Sequence, residues 1–392
     1  MRASELESRE DFRGLLRETL ARGWTAQFGA PTEVSAVPLG GAQLWRLQPL
    51  LTACFADGLG AAGRRFLRDG FAYTRSRWRR LPQWVLGSLL ASSAGLRWTS
   101  EPCFWVRPGL PEPAARLALP GNRRVRTFDF AAGLSRTFVK AGFDPAFLRR
   151  EAEARAKPGG PYLPVTAFDA EAGWMEEPLL QGFVLNRCPA RLPFAEYERR
   201  AHEALREWQA PGLREVSGAE FAAARLEALR ARLETLGARY GAAPGAPVAR
   251  AAEALAARVA RFGAVRLGPS HGDFQSGNAM VERGSGRVVL IDWEYAGERF
   301  CGYDFLVYGL GARRPGGLAE RLADFLARGS VEGPRAYAEG LDEAGRREAA
   351  ACFLLEELGF CAEQAASGPF KGWLPELPAL AQVVERFMRT GT

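Results

Sequence analysis

Residues 269–295 constrain the fold most, because they contain two short apolar runs on either side of a Gly-Ser-Gly turn. The first run follows a polar loop, HGDFQSGN at 271–278, and the second leads into IDWE at 291–294. Two apolar runs joined by such a turn are typical of a β-hairpin. The hairpin would return Asp292 to the loop that contains Asp273 and Asn278. We therefore expect these three polar side chains to lie close together.

Asp273, Asn278 and Asp292 are residue types that phosphoryl transfer requires. A carboxylate orients the attacking hydroxyl and accepts its proton, and oxygen ligands hold Mg²⁺ against the nucleotide phosphates. The spacing Asp-x-x-x-x-Asn, followed by an apolar strand that ends in Asp, is that of a kinase catalytic loop and its metal-binding Asp. Such spacing alone is a weak signal. The His-Gly before it and the Ile-Asp-Trp-Glu after the hairpin make the pattern specific.

The two motifs resemble those of the aminoglycoside phosphotransferase and choline kinase family. Its catalytic motif stands here as HGDFQSGN, and its metal motif stands as IDWEYAG at 291–297. The resemblance implies that Asp273 is the catalytic base and that Asn278 and Asp292 bind Mg²⁺. It also implies that ATP is the phosphoryl donor.

The same resemblance implies supporting roles for three further residues. His271 would brace the catalytic loop, and Asp304 in GYD (302–304) would anchor the following helix. Glu294 belongs to a Glu-Tyr pair that is closer to choline-kinase-like members than to typical antibiotic kinases. We expect all three to support the site rather than to react.

The expected fold class is α+β, with the bilobal protein-kinase-like fold that the resemblance implies. Turn signals and alternating residues predict an antiparallel meander, with strands at 117–119, 124–130, 136–141, 165–168 and 173–177 and a helix at 144–155. Helical patterns follow at 194–208, 217–240, 247–262, 302–311, 318–328 and 346–366. We expect an extra, mostly helical N-terminal region of unknown role (1–112), a small β-rich N-lobe (113–180) and a large, mainly helical C-lobe (181–392).

A lysine on the third strand of the small lobe should contact the α- and β-phosphates of the nucleotide. Lys140 lies in the third predicted strand and is one of only three lysines in the chain. The family resemblance implies an acidic partner on the next helix, which is Glu151, with Glu153 as the second choice. The alternative is an exposed helix whose charges face solvent.

The loop that would cover the phosphates departs from the family pattern. It contains a single glycine, Gly121, so fewer backbone amides can bind phosphate oxygens. Arg123 would compensate with bidentate contacts, although a plain hairpin turn with exposed arginines explains the sequence nearly as well. The resemblance implies that the segment around Glu176 and Glu177 links the lobes and supplies backbone hydrogen bonds to adenine.

Charge and cysteine usage exclude other classes of protein. The 52 basic and 45 acidic residues give a net charge of +7, but no nucleic-acid recognition motif accompanies it, and we expect no nucleic-acid partner. The six cysteines are widely spread, which argues against a structural zinc site. The N-terminus has no apolar signal core, and no apolar run is long enough to span a membrane. We expect a cytoplasmic protein with no integral membrane segment.

Residues 73–105 form a basic and aromatic run that has two interpretations. In one interpretation, they form a surface that contacts membrane headgroups or an acidic partner. In the other interpretation, arginine stems lie across aromatic side chains of the core.

The leading functional hypothesis is an ATP- and Mg²⁺-dependent kinase acting on a hydroxyl group of a small molecule, such as an amino alcohol, a sugar or an antibiotic-like metabolite. Glu294 and acidic residues of the late helices would either receive a cationic acceptor or form a solvated face; the late-helix residues include Glu356, Glu357 and Glu363. One alternative is a Ser/Thr kinase that modifies a peptide held by the N-terminal region. The other is an inactive, nucleotide-binding scaffold subunit.

Overall fold

The computed structural model describes residues 3–72, 76–241, 245–314, 316–334, 337, 339–367 and 374–389. The chain forms two compact units. Unit 1 contains Met1–Phe194 and Met280–Ile291, and unit 2 contains Ala195–Ala279 and Asp292–Thr392. Within the described ranges, no helix has both the length and the apolar character needed to cross a membrane.

A nine-stranded antiparallel sheet is the centre of unit 1. Its strands are β1 Glu33–Ser35, β2 Gln43–Gln48, β3 Ala53–Ala56, β4 Glu101–Arg107, β5 Arg116–Pro120, β6 Arg124–Asp129, β7 Leu134–Val139, β8 Ala167–Asp169 and β9 Trp174–Pro178. They lie in the order β1-β4-β2-β3-β5-β6-β7-β9-β8. The helices of this unit are α1 Ala3–Glu7, α2 Phe12–Phe28, α3 Ala61–Ala72, α4 Arg77–Leu90, α5 Ser93–Thr99 and α6 Ala146–Ala154. A 3₁₀ turn, Pro113–Ala115, precedes β5.

The two faces of this sheet pack against different helices. On one face, Trp24 of α2 packs on Trp45 of β2 at a ring-centroid distance of 5.1 Å. On the other, Phe66 of α3 packs on Phe128 of β6 at 4.7 Å. Alternate residues of each strand therefore belong to different cores, as the period of two in a strand requires.

The N-terminal region contributes more than the helices that the sequence predicts. Its strands β1–β4 join the same sheet as β5–β9, and Cys54 of β3 pairs with Ala118 of β5. The expected boundaries at 112/113 and 180/181 are therefore not boundaries between the two units. All four residues of β3 are buried, and such a short apolar run cannot be distinguished from a buried helix by periodicity. Deleting residues 1–112 would expose the edge of β5.

The predicted meander and helix of the small lobe are confirmed as β5–β9 and α6. Helix α6 begins two residues after Asp144, whose Oδ1 accepts a hydrogen bond of 2.8 Å from the amide of Ala146. The hairpin predicted around the Gly-Ser-Gly turn is also present. It consists of β13 Ala279–Glu282 and β14 Val288–Leu290, which form a second sheet with β10 Gly182–Val184 in the order β10-β13-β14.

Unit 2 is mainly helical. Its helices are α7 Phe194–Gln209, α8 Gly218–Tyr240, α9 Ala246–Val259, α10 Tyr303–Gly309, α11 Leu318–Arg328, α12 Glu343–Ala366 and α13 Glu376–Arg389. A small antiparallel sheet has the order β11-β12-β15, with β11 Arg214–Val216, β12 Val265–Ser270 and β15 Gly297–Phe300. A short 3₁₀ turn occurs in this unit at Ala210–Gly212, and another at Leu185–Arg187 belongs to unit 1. Helix α12 is buried from residue 349 to residue 365, which makes it the centre of this unit. The predicted α+β class, with a β-rich part before a mainly helical part, is confirmed.

Candidate active site

The loop at 271–278 follows β12 and is held by one buried carboxylate, that of Asp304 at the start of α10. Its Oδ2 accepts hydrogen bonds from Ser270 Oγ at 2.9 Å and from the amide of His271 at 2.8 Å. Its Oδ1 accepts one from the amide of Gly272 at 2.9 Å, and Gln209 Nε2 donates to Oδ2 at 3.2 Å. Burial raises the pKa of Asp304, while His271 and the hydrogen-bond donors oppose that shift. Asp304 thus connects the entry of the loop to α10, the helix that carries this carboxylate.

The first two loop residues have a structural reason for their identity. Gly272 has φ +81°, and a Cβ there would lie 2.0 Å from the carbonyl oxygen of Tyr295. No other residue type fits that position without moving the backbone. The buried His271 accepts a hydrogen bond of 3.3 Å from the amide of Asp273 at Nδ1, and its ring lies 4.5 Å from that of Trp293. These contacts hold the ring of His271 in place, and its bracing role stays a prediction.

Three side chains donate hydrogen bonds to the carboxylate of Asp273. Asn278 Nδ2 and Gln275 Nε2 donate to Oδ2 at 2.8 and 3.1 Å. Arg313 Nε donates to Oδ1 at 2.6 Å. Asn278 Nδ2 also donates to the backbone carbonyl of Asp273 at 2.9 Å. Asp273 and Asn278 are therefore in direct contact, as predicted.

Arg313 is a site residue that the sequence did not indicate. Besides Asp273 it forms an ion pair with Glu357, donates to Tyr303 Oη at 3.2 Å and stacks on Phe360 with its Cζ 3.8 Å from the ring centroid. Burial acts to lower the pKa of Arg313, but Glu357, Tyr303 and Asp273 together raise it well above its usual value. The Asp273 carboxylate thus has a permanent positive charge beside it.

Asn278 and Asp292 carry oxygen atoms suited to Mg²⁺. The backbone amide of Glu282 donates to the carbonyl of Arg287 at 2.9 Å, so the hairpin returns the chain to the end where Asn278 lies. Asp292, two residues after β14, adopts the left-handed φ of +66° that few non-glycine residues adopt. The side-chain amide of Asn278 donates to Asp273, while no described residue donates a hydrogen bond to its Oδ1. One amide oxygen and one carboxylate fit the preference of Mg²⁺ for oxygen ligands.

Glu356, Glu357 and Glu363 of α12 do not form either of the two expected arrangements. All three residues are buried, so the interpretation of them as a solvated helix face is wrong. Glu356 accepts hydrogen bonds from Arg225 and Arg299, Glu357 pairs with Arg313, and Glu363 pairs with Arg232. Because arginines of the same unit already neutralise these carboxylates, they do not offer open sites for a cationic acceptor. Glu294 is half-buried between the buried Trp293 and Tyr295, and its supporting role stays a prediction.

In unit 1, the predicted pairing of Lys140 with Glu151 is wrong. Lys140 is fully buried, and its Nζ forms an ion pair with Glu10, in the turn before α2. The ring of Phe12 lies 5.9 Å from the same Nζ. Burial lowers the pKa of Lys140, and Glu10 opposes this shift. The fallback partner, Glu153, does not pair with Lys140 either.

Glu151 has two arginine partners instead. Arg124 Nη1 donates to its Oε2 at 3.0 Å, and Arg155 Nη1 donates to its Oε1 at 2.9 Å. The alternation of side chains explains the difference. Arg124 pairs with Val139 in the ladder between β6 and β7, so the next residue, Lys140, points to the opposite face, which α2 covers. The sequence identified the strand but not which of its faces meets α6.

The other residues predicted to contact the nucleotide lie in surroundings that the sequence did not predict. Gly121 donates its amide to the carbonyl of Arg124 at 2.8 Å in a tight hairpin turn, and Arg123 in that turn is buried rather than exposed. Glu176 and Glu177 lie in β9, within unit 1, and not in a linker between units. The backbone of Glu176 is paired with both β7 and β8, because β9 lies between them. Its hydrogen-bonding groups are therefore not open to adenine.

A buried histidine beneath the loop makes stability depend on pH. The ring of His202 in α7 lies 5.0 Å from that of Phe274 and 4.5 Å from that of Tyr308. Burial lowers the pKa of His202 to about 4, although the carbonyl of Glu198 opposes this. In the unfolded chain the pKa is about 6.5, so the unfolded state binds the proton first as the pH falls.

We therefore expect His202 to contribute stability that is complete above pH 6.5 and is lost as the pH falls from 6.5 towards 4. Between pH 7.5 and pH 5 the loss from this group is about 2 kcal/mol. Urea unfolding at both pH values measures it, and the His202→Phe protein should lack this part of the pH dependence. An equal pH dependence in both proteins would show that His202 is not the group responsible.

The middle of the chain identifies the class of enzyme. Residues 187–341 match the model of the phosphotransferase enzyme family, and this stretch contains the loop, the hairpin and Asp304. The match confirms the resemblance on which the two motifs were interpreted. It also confirms the predicted class of enzyme, a phosphotransferase. No curated protein matches the chain.

Several solved structures are similar to the chain. One is choline kinase LicA from Streptococcus pneumoniae, with 14% identity, a TM-score of 0.44 and coverage of 71% of this chain and 92% of that one. Another is a thermostable mutant of aminoglycoside phosphotransferase APH(4)-Ia in complex with ADP and hygromycin B, with 16% identity, a TM-score of 0.42 and coverage of 72% and 93%. A glucosamine kinase has 15% identity, a TM-score of 0.29 and coverage of 71% and 78%. Because all TM-scores are below 0.5, the class of enzyme rests on the family match and the site.

Proposed function

We propose that the protein transfers the γ-phosphoryl group of ATP to a hydroxyl group of a small molecule, with Mg²⁺ as the metal. The observation that carries the proposal is the carboxylate of Asp273, which is held between Asn278 and Arg313 on a loop fixed by Asp304. A carboxylate held in this way needs no reorganisation when it accepts a proton.

In the proposed reaction, Asp273 orients the acceptor hydroxyl and takes its proton as the acceptor oxygen bonds to the γ-phosphorus. The bond between that phosphorus and the bridging oxygen breaks, and ADP leaves with the electron pair. Asn278 and Asp292 would hold Mg²⁺, which neutralises the charge on the phosphate oxygens when bound. Arg313 keeps Asp273 in one orientation and is a positioning residue.

For the nucleotide phosphates, we propose Arg124 as the cation that Glu151 orients. Arg124 lies on the strand next to β7, and its ion pair with Glu151 is the kind of contact expected earlier for Lys140. Arg155 binds Glu151 from the other side and also pairs with Glu177, so Glu151 has one position. A guanidinium group can bind phosphate in a bidentate manner.

Two methionine variants separate the roles of Arg124 and Lys140. Arg124→Met should weaken ATP binding roughly 100-fold, the value of a lost charged hydrogen-bond contact, with little loss of stability because Arg155 still pairs with Glu151. Lys140→Met should lower the free energy of unfolding by about 3 kcal/mol, because Glu10 is left buried without a partner. Titration with a fluorescent ATP analogue and urea unfolding measure the two effects.

The double variant Glu10→Met/Lys140→Met is the matched control. Removing both charges should restore much of the stability that Lys140→Met loses, since an apolar pair replaces a buried ion pair at little net cost. If the Lys140→Met protein kept its stability and lost ATP binding, the residue that contacts the phosphates would be Lys140 and not Arg124.

The function itself is tested by Mg²⁺-dependent formation of ADP. The purified protein is incubated with ATP and with separate pools of amino alcohols, sugars, aminoglycosides and Ser/Thr peptides, and Asp273→Asn protein serves as the blank. Stimulation by one small-molecule pool, absent from the blank, is the expected result. Stimulation by the peptide pool alone would replace the small-molecule acceptor with a peptide. ATP binding without stimulation by any pool would favour the scaffold.

A further inference from the structure

The segment between Asp69 and Glu101 contains no acidic residue. It contains five arginines and three tryptophans: Arg75, Arg77, Arg79, Arg80, Arg97, Trp78, Trp84 and Trp98. Residues 73–75 lie outside the described residues, and helices α4 and α5 carry the rest of this set. The segment therefore carries five positive charges and no negative one, four of them before residue 81 and one at Arg97.

Several apolar residues of helix α4 lie on its exposed side and not in the protein interior. Trp78, Leu81, Val85 and Leu89 follow the spacing i, i+3, i+7, i+11, which puts them on one face of a helix. All four are exposed, and the exposed fraction of the side chain reaches 92% for Trp78, 69% for Leu81 and 61% for Leu89. Trp84 and Leu86 flank this stripe and are also exposed. We name these six residues the outer face of α4.

The opposite side of α4 fixes how the helix is oriented. Gly87 and Leu90 are buried, and α4 packs against α3 and α5. Ser76 caps the N-terminus by accepting a hydrogen bond of 3.4 Å from the amide of Arg79. Because these contacts hold the inner side, rotation of α4 cannot bury the outer face. Trp98 of α5 is 86% exposed and Arg97 is exposed as well. The interpretation of these tryptophans as core residues covered by arginine stems is therefore wrong.

Chemistry favours a lipid surface over other occupants. Tryptophan and leucine on one face of a helix enter the boundary between headgroups and acyl chains, and nearby arginines attract anionic headgroups. The absence of any carboxylate from residues 70–100 complements a negatively charged surface. A helix of 14 residues is too short to cross a bilayer but can lie in its interface.

We propose that the outer face of α4 docks on the surface of an anionic phospholipid bilayer, with α4 lying along the headgroup region. The proposal does not depend on phosphoryl transfer, because α4 contains none of the residues assigned to that reaction.

The test is flotation of the full-length protein with vesicles in a density gradient. Vesicles of phosphatidylcholine with 30% phosphatidylglycerol should carry the protein upwards, and vesicles of phosphatidylcholine alone should bind it at least about 10-fold more weakly. The variant Trp78→Ser/Leu89→Ser should lose roughly 10-fold or more of the binding to anionic vesicles. Arg79→Glu, which keeps the apolar stripe, should reduce the preference for anionic vesicles.

A matched control replaces two exposed aliphatic residues elsewhere in unit 1, Val37→Ser/Leu50→Ser, and should float like the wild-type protein. Thermal melting of each variant confirms that it is folded. Failure of the wild-type protein to float with anionic vesicles overturns the proposal. Without vesicle binding, a dimer that the substitutions Trp78→Ser/Leu89→Ser dissociate would also overturn it, and the occupant would be a second copy of the chain. Binding to polyglutamate without vesicle binding would overturn it as well, and the occupant would be an acidic peptide.

Discussion

Replacing Asp273 with asparagine is expected to reduce phosphoryl transfer at least about 1,000-fold, because the amide cannot accept the proton of the acceptor hydroxyl. The affinity for ATP should change less than about 3-fold, since the substitution leaves Asn278, Asp292 and Arg124 in place. The variant should stay folded: Asp273 is partly exposed, and the substitution weakens either its contact with Arg313 or its contacts with Asn278 and Gln275. Measurements of kcat with saturating ATP, and of ATP binding without acceptor, test both statements.

Asp324→Asn is the matched control for this variant. Asp324 lies on the exposed side of α11 and pairs with Arg328 of the same helix, so it undergoes the same chemical change with no expected effect on transfer. If Asp273→Asn kept a tenth of the wild-type activity or more, Asp273 would not be the base.

The second large effect is expected at Asp304. In Asp304→Asn, one of the two carboxylate oxygens becomes an NH₂ group, so a buried amide of His271 or Gly272 loses its acceptor. We expect the free energy of unfolding to fall by about 3 kcal/mol. Transfer should also fall for the protein that stays folded, because the loop that carries Asp273 is no longer fixed at its start.

Urea unfolding and kcat, measured at a temperature where the variant is folded, separate the two consequences. Ser270→Ala is the control, because it removes one neutral donor to Asp304 and should lower stability by only about 1 kcal/mol. A stability of Asp304→Asn within about 0.5 kcal/mol of wild type would mean that the loop does not depend on this carboxylate.

The loop and hairpin were predictable because their signals are local. His271, Asp273 and Asn278 lie within eight residues, and the turn that returns the chain to Asp292 has its own glycine pattern. The contact between Asp273 and Asn278 follows from that spacing alone. Strands β5–β9 were predictable for a similar reason, since each is bounded by turn residues.

The partners of the charged side chains were not predictable. Glu10 and Lys140 are 130 positions apart, and their pairing depends on which face of the sheet α2 covers. A shift of one residue along β7 would reverse that face. Arg313 lies in a turn with no motif of its own, in a chain where nearly all basic residues are arginine. Its role depends on the packing of α12, whose Glu357 and Phe360 hold the guanidinium group.

The sheet of β10, β13 and β14 affects how the nascent chain matures. Strand β10 leaves the ribosome early, whereas its neighbour β13 begins only after residues 195–278 have been translated. At a translation rate of about 5–20 residues per second, β10 stays without its partner strand for a time on the order of ten seconds. During that interval the strand presents unpaired backbone groups, which other chains or chaperones can bind. Translation speed through the first half of unit 2 therefore sets how long unit 1 is incomplete.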